Sequence, residues 1–196
     1  MFVLYMEKLL ENYRRLKLDR LAKKMQKGDA KAAEEIYNYF ANKLFGFLFN
    51  RVRNKATAED LAQDIFLKLV SKISLFDPKL GSFSTWFWQL ARNTLIDHYR
   101  SSENNKRVNN FSEFKEEAIE EISTDESGRL ESKFELNKVF EFLKTLDPEE
   151  QEFFELRFIS QLSFREISQI TDKSEGSLRV YAMRLKRKIK DDLKDK

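Results

Sequence analysis

Three groups of residues in this 196-residue chain have the types and spacing for binding or chemistry. The first is Asp60, Gln63 and Asp64, within Ala58-Glu59-Asp60-Leu61-Ala62-Gln63-Asp64-Ile65-Phe66. Steps of three and four residues put them on one polar helical face. Paired carboxylates can act as acid and base or hold a cation, but no third ligand, histidine or glycine loop accompanies them. An exposed docking surface therefore outweighs a metal-dependent nuclease or phosphotransferase. The second group is Trp86-Phe87-Trp88, on a segment that also carries Arg92 and Arg100. Consecutive helical positions diverge by about 100°, so the three rings cannot all face one core. An aromatic among cations can stack on an unpaired base, at about 1–3 kcal/mol per base, and plain packing explains the same residues equally well. The third group is the stretch from Gly176 to Lys190, where Arg179, Arg184, Lys186, Arg187, Lys188 and Lys190 occur with no acid.

Composition excludes other chemistries. There is no cysteine, which removes disulfides, zinc ribbons, iron–sulfur clusters and thiol nucleophiles, and nothing speaks for an oxidising compartment. His98 is the single histidine, so a Ser–His–Asp arrangement or a histidine metal cage would rest on it alone. No catalytic residue, metal or cofactor is expected. The apolar opening Met1–Met6 meets Glu7 and Lys8 at once, too short for a signal core or a membrane span. A cytoplasmic protein without membrane insertion is the expectation.

The elements that must position these groups are helical. Five glycines and two prolines leave few turns, and strand signals are nearly absent. The expected fold is all-α: two small helical domains joined by an acidic linker, the second a helix-turn-helix. Residues 30–53 place Ile36, Tyr37, Phe40, Leu44, Phe47 and Leu48 at helical steps, and Asn54-Lys55 breaks that run. Thr57 with Asp60 resembles a capping box that opens the next helix, whose Leu61, Ile65, Leu69 and Ile73 share a face and which ends near Ser74. Pro78 and Gly81 turn the chain within Phe76–Ser82, and a third helix starts at Phe83. A further helix over about 131–145 carries Phe134, Val139, Phe140 and Leu143. Asp147-Pro148-Glu149-Glu150 then unites an N-cap, a first-turn proline and an N3 acid, Ser163 with Glu166 forms another capping box, and Ser174 caps the last helix. A helix of about eight residues, the turn Asp172-Lys173-Ser174 and a longer basic helix make the layout of a helix-turn-helix.

Charge divides the chain. Residues 1–21 form an N-terminal extension, and 22–101, with thirteen basic and eight acidic residues, a first domain. Residues 102–130, with four basic and eight acidic residues, read as a linker, and 131–196 as a second domain. The last helix would aim Glu175, Ser177, Arg179, Val180, Met183, Arg184 and Arg187 at a DNA major groove, with Gly176 admitting close backbone approach. A solvated amphipathic helix with a cationic tail is the competing reading.

Glu59-Asp60-Leu61-Ala62-Gln63-Asp64-Ile65-Phe66, then Phe76-Asp77-Pro78 through Gly81-Ser82-Phe83, Trp86-Phe87 and Ala91-Arg92-Asn93, then Leu162-Ser163-Phe164 with Glu166-Ile167, and Ser174 with Gly176-Ser177-Leu178-Arg179 occur in that order. Together they resemble the extracytoplasmic-function (ECF) group of bacterial RNA polymerase sigma factors, which keep only regions two and four. The resemblance covers roughly residues 25–101 and 131–190. It implies that Asp60, Gln63, Asp64 and Phe66 dock on the β′ clamp helices of core RNA polymerase. It implies that Phe76, Phe83, Trp86, Trp88 and Asn93, with Arg92 and Arg100 as phosphate partners, read the separated strand of the promoter minus-ten element. Glu175, Gly176, Ser177, Arg179, Val180, Met183, Arg184 and Arg187 would read the minus-thirty-five duplex, with the second domain near the β flap. The implied partners are core polymerase, promoter DNA both duplex and single-stranded, and an anti-sigma factor. Asp172 stands where the family often has glycine, and Val180-Tyr181 where Ser-Arg is common, so the promoter sequence does not transfer. The alternative is a stand-alone helix-turn-helix regulator that binds duplex without polymerase.

Overall fold

The computed structural model describes residues 2–106, 142 and 145–192. The expected linker beyond Lys106, and the expected helix over 131–145 apart from Phe142 and Thr145, lie outside the described residues. The described helices are α1 (Phe2–Met25), α2 (Ala30–Val52), α3 (Lys55–Lys72), α4 (Phe83–Lys106), α5 (Pro148–Phe154), α6 (Phe164–Thr171) and α7 (Glu175–Asp192). No strand occurs among the described residues.

Local chemistry sets most of the boundaries. Asp29 caps α2 by accepting from the Ala32 N–H at 3.1 Å. Arg53 ends α2 in the left-handed region, at φ 52°. Asn54 then has extended backbone and accepts from the Thr57 N–H at 2.9 Å. That corrects the Thr57–Asp60 reading: α3 begins one turn earlier, because the short Asn54 amide reaches the orphan donor that Thr57 presents. The other capping boxes form as the sequence suggests. The Asp147 carboxylate accepts from the Glu149 and Glu150 N–H groups, and Ser163 and Glu166 satisfy each other's backbone. After α5 the chain widens into one π turn, Glu155–Ile159, closed by the Ser160 N–H donating to the Glu155 carbonyl at 2.8 Å.

The first unit is built around α4. Phe83, Phe87, Trp88, Ala91 and Leu95 are buried with Ile36, Phe40, Leu44, Phe47 and Leu48 of α2 and Leu61, Ile65 and Leu69 of α3. Ring centroids lie 4.1 Å apart for Phe40–Phe87 and 5.1 Å apart for Phe47–Trp88. α1 joins this core through Leu18, Leu21 and Ala22. The expected break at residue 21 thus falls inside one continuous helix, and the second half of α1 is part of the first unit. In the second unit, Phe153, Leu156, Leu162, Ile167, Ile170, Leu178 and Leu185 are buried between α5, α6 and α7.

One contact from α1 starts α4. The Phe83 N–H donates to Asp19 Oδ1 at 2.7 Å, so a side chain far away in sequence occupies one of the donors that a helix N-terminus leaves open. Burial pushes the Asp19 carboxyl above its ordinary value, opposed by the Phe83 N–H and by Arg15. With the folded value raised, the carboxyl's contribution to stability is present at low pH and lost as pH rises through that raised value. Asp19→Ala should therefore cost about 1 kcal/mol at neutral pH by losing the cap. Asp19→Asn keeps an acceptor without the desolvated charge and should match or exceed the parent. The advantage of Asp19→Asn over the parent should shrink as pH falls through the carboxyl range, read from urea midpoints at several pH values.

Candidate nucleic-acid interface

The loop before α4 is held from below. Gln26 Nε2 donates to the carbonyls of Ile73 and Phe76, both at 2.8 Å. The Asp77 carboxylate accepts from the Lys79 N–H at 2.9 Å, an Asx turn that reverses the chain around Pro78. Ser82 Oγ accepts from the Thr85 N–H at 3.2 Å and closes the first turn of α4. Leu80 projects from the tip, 83% exposed. This loop forms one wall of a groove of about 580 Å³ shared with α1 and residues 160–169, with Arg14, Arg15, Lys79 and Arg165 on its rim.

Burial sorts the expected base-contacting residues. Trp88 is 1% exposed, Phe83 is fully buried, and Phe76 lies beneath Phe83 with centroids 5.3 Å apart. These three pack the core and present no face to a base in this structure, a correction with a plain cause. α4 is surrounded by α1, α2 and α3 over a wide arc, so two of its three neighbouring aromatics, Phe87 and Trp88, point inward. Trp86 remains half-buried on the outer side, its ring stacked 5.8 Å from that of Phe83. From it runs a stripe of Gln89, Asn93 and Arg100 at helical spacing, with Asn93 and Arg100 exposed and Arg92 alongside. Gln89 escaped the sequence reading because an uncharged amide carries no local signal.

The face of α3 is as expected. Asp60 and Gln63 are exposed, and Asp64 is partly exposed and pairs with Lys68 at 2.8 Å. Phe66 packs between Tyr37 and Phe87, with centroids at 4.7 and 6.0 Å, so only part of its ring is open. Exposed Leu67 and Val70 continue the surface. The sequence reading missed them because single surface leucines and valines are ordinary. Among the described residues, no group of three His, Cys, Asp or Glu residues is placed to hold a metal ion.

On α7, Leu178 and Leu185 point into the second unit, while Ser177, Arg179, Val180, Met183, Arg184 and Arg187 are all exposed and Glu175 is partly so. Gly176 is exposed, and a Cβ there would meet nothing closer than the Ser174 hydroxyl at 3.8 Å. Ser174 caps the helix, accepting from the Ser177 N–H at 3.1 Å. Arg179 is held by Glu175 at 3.0 Å and lies over the Phe164 ring, 5.6 Å from its centroid. Tyr181 turns the other way: its hydroxyl donates to Glu149 at 2.7 Å, and Lys173 donates to the same carboxylate at 2.9 Å. The Lys173 bond, with that of Tyr181, holds the Glu149 carboxyl below its ordinary value. This tie fixes the turn and the start of α7 to α5. The turn itself places Asp172 in the left-handed region at φ 58°, a conformation that suits glycine better.

The two units touch. Asn50 Nδ2 donates to Glu155 at 2.8 Å, Arg51 donates to the same carboxylate, and Arg92 meets Glu152 at 3.0 Å. Ser82 Oγ donates to Glu166 at 2.7 Å, and Gln89 Nε2 to the Gln169 carbonyl at 3.0 Å. Glu155 is 1% exposed, and burial pushes its carboxyl up against the opposing pull of Arg51 and Asn50.

Two substitutions check this packing. Trp88→Ala should cost about 3–5 kcal/mol in chemical denaturation, as removal of a buried aromatic does. Asp172→Gly should raise stability by about 0.5–1 kcal/mol by relieving a left-handed residue that carries a Cβ.

Comparison with known proteins follows the same division. The sigma-70 region 2 family matches residues 36–105, and the sigma-70 region 4 family matches residues 136–189. The ECF RNA polymerase sigma factor BldN of Streptomyces coelicolor is 29% identical over 169 residues, covering 86% of this chain and 63% of BldN. The chain thus spans less than two thirds of that relative. The ECF RNA polymerase sigma factor SigM of Bacillus subtilis is 25% identical over 158 residues, covering 80% of this chain and 92% of SigM. Among solved structures, CnrH in complex with the cytosolic domain of CnrY superposes with a TM-score of 0.62 at 20% identity, covering 91% of this chain and 98% of CnrH. RpoE from Bartonella quintana, in complex with the anti-sigma factor NepR, superposes with a TM-score of 0.60 at 18% identity, covering 82% and 95%. At those identities the two structures share the fold. With region 2 falling on the first helical unit, region 4 on the second and relatives named for the same group matching across most of this chain, the chain belongs to the ECF sigma factors of bacterial RNA polymerase.

Proposed function

We propose that this chain is the promoter-specificity subunit of RNA polymerase, a non-enzymatic factor that binds core enzyme and helps open the minus-ten element. The observation that carries this reading is the separation of two exposed surfaces of opposite character. α3 presents Asp60, Gln63 and Asp64 beside Leu67 and Val70, a face suited to a protein partner. α7 presents Arg179, Arg184 and Arg187 around Val180 and Met183, a face suited to a duplex groove and its phosphates. On this reading α3 and part of Phe66 meet the β′ clamp helices, and the second unit works beside the β flap. Trp86, Gln89, Asn93 and Arg100, with Arg92, form the surface for the separated strand. Residues 102–130 join a region 2 domain to a region 4 domain. An anti-sigma factor is a fitting further partner, since RpoE from Bartonella quintana is held by one. The protein works in the cytoplasm, and no helix among the described residues is long and apolar enough to cross a membrane.

The test is transcription with purified core enzyme on promoters selected from a random library. The chain should confer specific initiation, and neither stimulation nor core binding would sink the reading. Duplex binding of full affinity and specificity without core would favour the stand-alone regulator instead. Trp86→Ala should reduce open-complex formation by 10-fold or more while leaving closed-complex binding within about 2-fold, since stacking contributes about 1–3 kcal/mol per base only after the strands part. Arg184→Ala should weaken duplex binding and flatten its salt dependence by about one unit of slope if the guanidinium contacts a phosphate.

A further inference from the structure

The groove between α1, the Pro78–Ser82 loop and residues 160–169 has a charge balance that its own fold does not use. Arg14, Arg15 and Lys79 line it from the first unit and Arg165 from the second, against one carboxylate, Glu166. That carboxylate is already engaged. Ser82 Oγ donates to one of its oxygens at 2.7 Å, and the Ser163 N–H and hydroxyl donate to the other at 2.9 and 2.8 Å. Arg15 lies 3.9 Å from Asp19, while Lys79 and Arg165 form no ion pair among the described residues. Beside the cations lie the apolar side chains of Leu9, Leu18 and Leu162 and the Tyr39 ring, one face of which carries Lys43 Nζ at 3.8 Å from the centroid. At about 580 Å³ the groove falls within the range of small-molecule sites, roughly 300–1,000 Å³. Its second-unit wall also holds an unused donor. Ser160 is 6% exposed, and its hydroxyl has no hydrogen-bond partner among the described residues. Next to it Gln161 lines the groove from the left-handed region, at φ 58°. This bend is held from behind: Arg157 Nη1 donates to the Leu162 carbonyl at 2.7 Å, and the Leu162 N–H to the Leu156 carbonyl at 3.0 Å.

We propose that this groove is a binding site for a phosphorylated nucleoside, with its phosphates held by Lys79, Arg165 and the α1 arginines and its base set against Tyr39. Cations without acid partners select an anion, and a guanidinium fits phosphate oxygens with paired N–H donors. The aromatic and leucine surface gives an uncharged part of the ligand something to cover, which a bare phosphate would leave exposed. The site lies beyond promoter recognition, since Arg14, Arg15, Tyr39 and Arg165 belong neither to the strand-contacting set on α4 nor to the duplex-contacting face of α7. Because the loop before α4 forms one wall, occupancy makes that loop responsive to nucleotide concentration.

Equilibrium dialysis of the full chain against ATP, GTP, inorganic pyrophosphate and a labelled random single-stranded 20-mer tests the site. ATP or GTP should bind saturably, one per chain, and more tightly than pyrophosphate. Arg165→Ala and Lys79→Ala, both at exposed positions, should each weaken that binding at least about 5-fold. Lys190→Ala, the same charge loss on an exposed residue of α7 outside the groove, should leave it within about 2-fold. Tyr39→Leu should weaken nucleotide binding and leave pyrophosphate binding unchanged, whereas Tyr39→Phe, which keeps the ring, should retain both. Absence of saturable nucleotide binding, or binding indifferent to Arg165→Ala and Lys79→Ala, would overturn the site. Pyrophosphate bound as tightly as the nucleotides would overturn the nucleoside, and loss of affinity for the 20-mer alone would assign these cations to nucleic acid instead. The measurements need no core polymerase, so a failure of the promoter-specificity reading shows itself separately, in transcription.

Discussion

Asp19 on α1 and Gln26 just past the end of that helix stand about two turns apart, and between them they satisfy the backbone at both ends of one loop. Gln26 binds the carbonyls of Ile73 and Phe76 where α3 runs out, and Asp19 binds the Phe83 N–H where α4 begins. The intervening residues are left to the Asp77 turn and to an exposed tip. Because a buried helix end without partners is costly, the position of α4 is set by α1 together with the local Ser82 cap. Trp86, Gln89 and Asn93 face outward only because α4 starts at that point and with that rotation. On the arm of α1 before Leu18, Leu9, Leu10, Tyr13 and Leu16 are exposed.

Contact between the units follows a different economy. Burying Glu155 beside Arg51 removes two charges from water, and a buried pair of this kind adds little net stability compared with an apolar contact of equal size. What it adds is specificity. Removing one partner leaves a charge stranded, so the units fit in one register or separate. At its margin, Asn50 Oδ1 and one nitrogen of Arg51 find no protein partner among the described residues, a cost that the buried pair carries with it.

Features governed by neighbouring residues were readable in the sequence. The capping boxes at Asp147 and Ser163, the Ser174 cap, the turn at Pro78–Gly81 and the outward face of α7 all depend on contacts within four residues. The α3 start misled because Thr57 and Asn54 both fit a capping pattern, and the choice rests on Arg53 taking a left-handed conformation. Which aromatics of α4 face inward depends on three other helices, so the sequence leaves Trp86 and Trp88 open between packing and stacking, and Phe83 joins the base-contacting set through the family resemblance alone. The Asp19, Gln26 and Glu155 contacts link residues 47 to 105 positions apart, and pattern reading has no access to such distances. Likewise the charge break at residue 21 coincides with no break in the helix.

The burial of Glu155 against Arg51 has a consequence for ionic strength. A phosphate contact gains much of its free energy from displaced counterions, and that gain shrinks as salt concentration rises. A carboxylate sealed from solvent beside its guanidinium displaces none and is little screened, whereas the half-open Glu152–Arg92 pair is partly so. Rising electrolyte should therefore weaken a phosphate contact made by the exposed cations of α7 more than it weakens the sealed contact between the units. The two ion pairs answer salt differently because one is dry and the other wet.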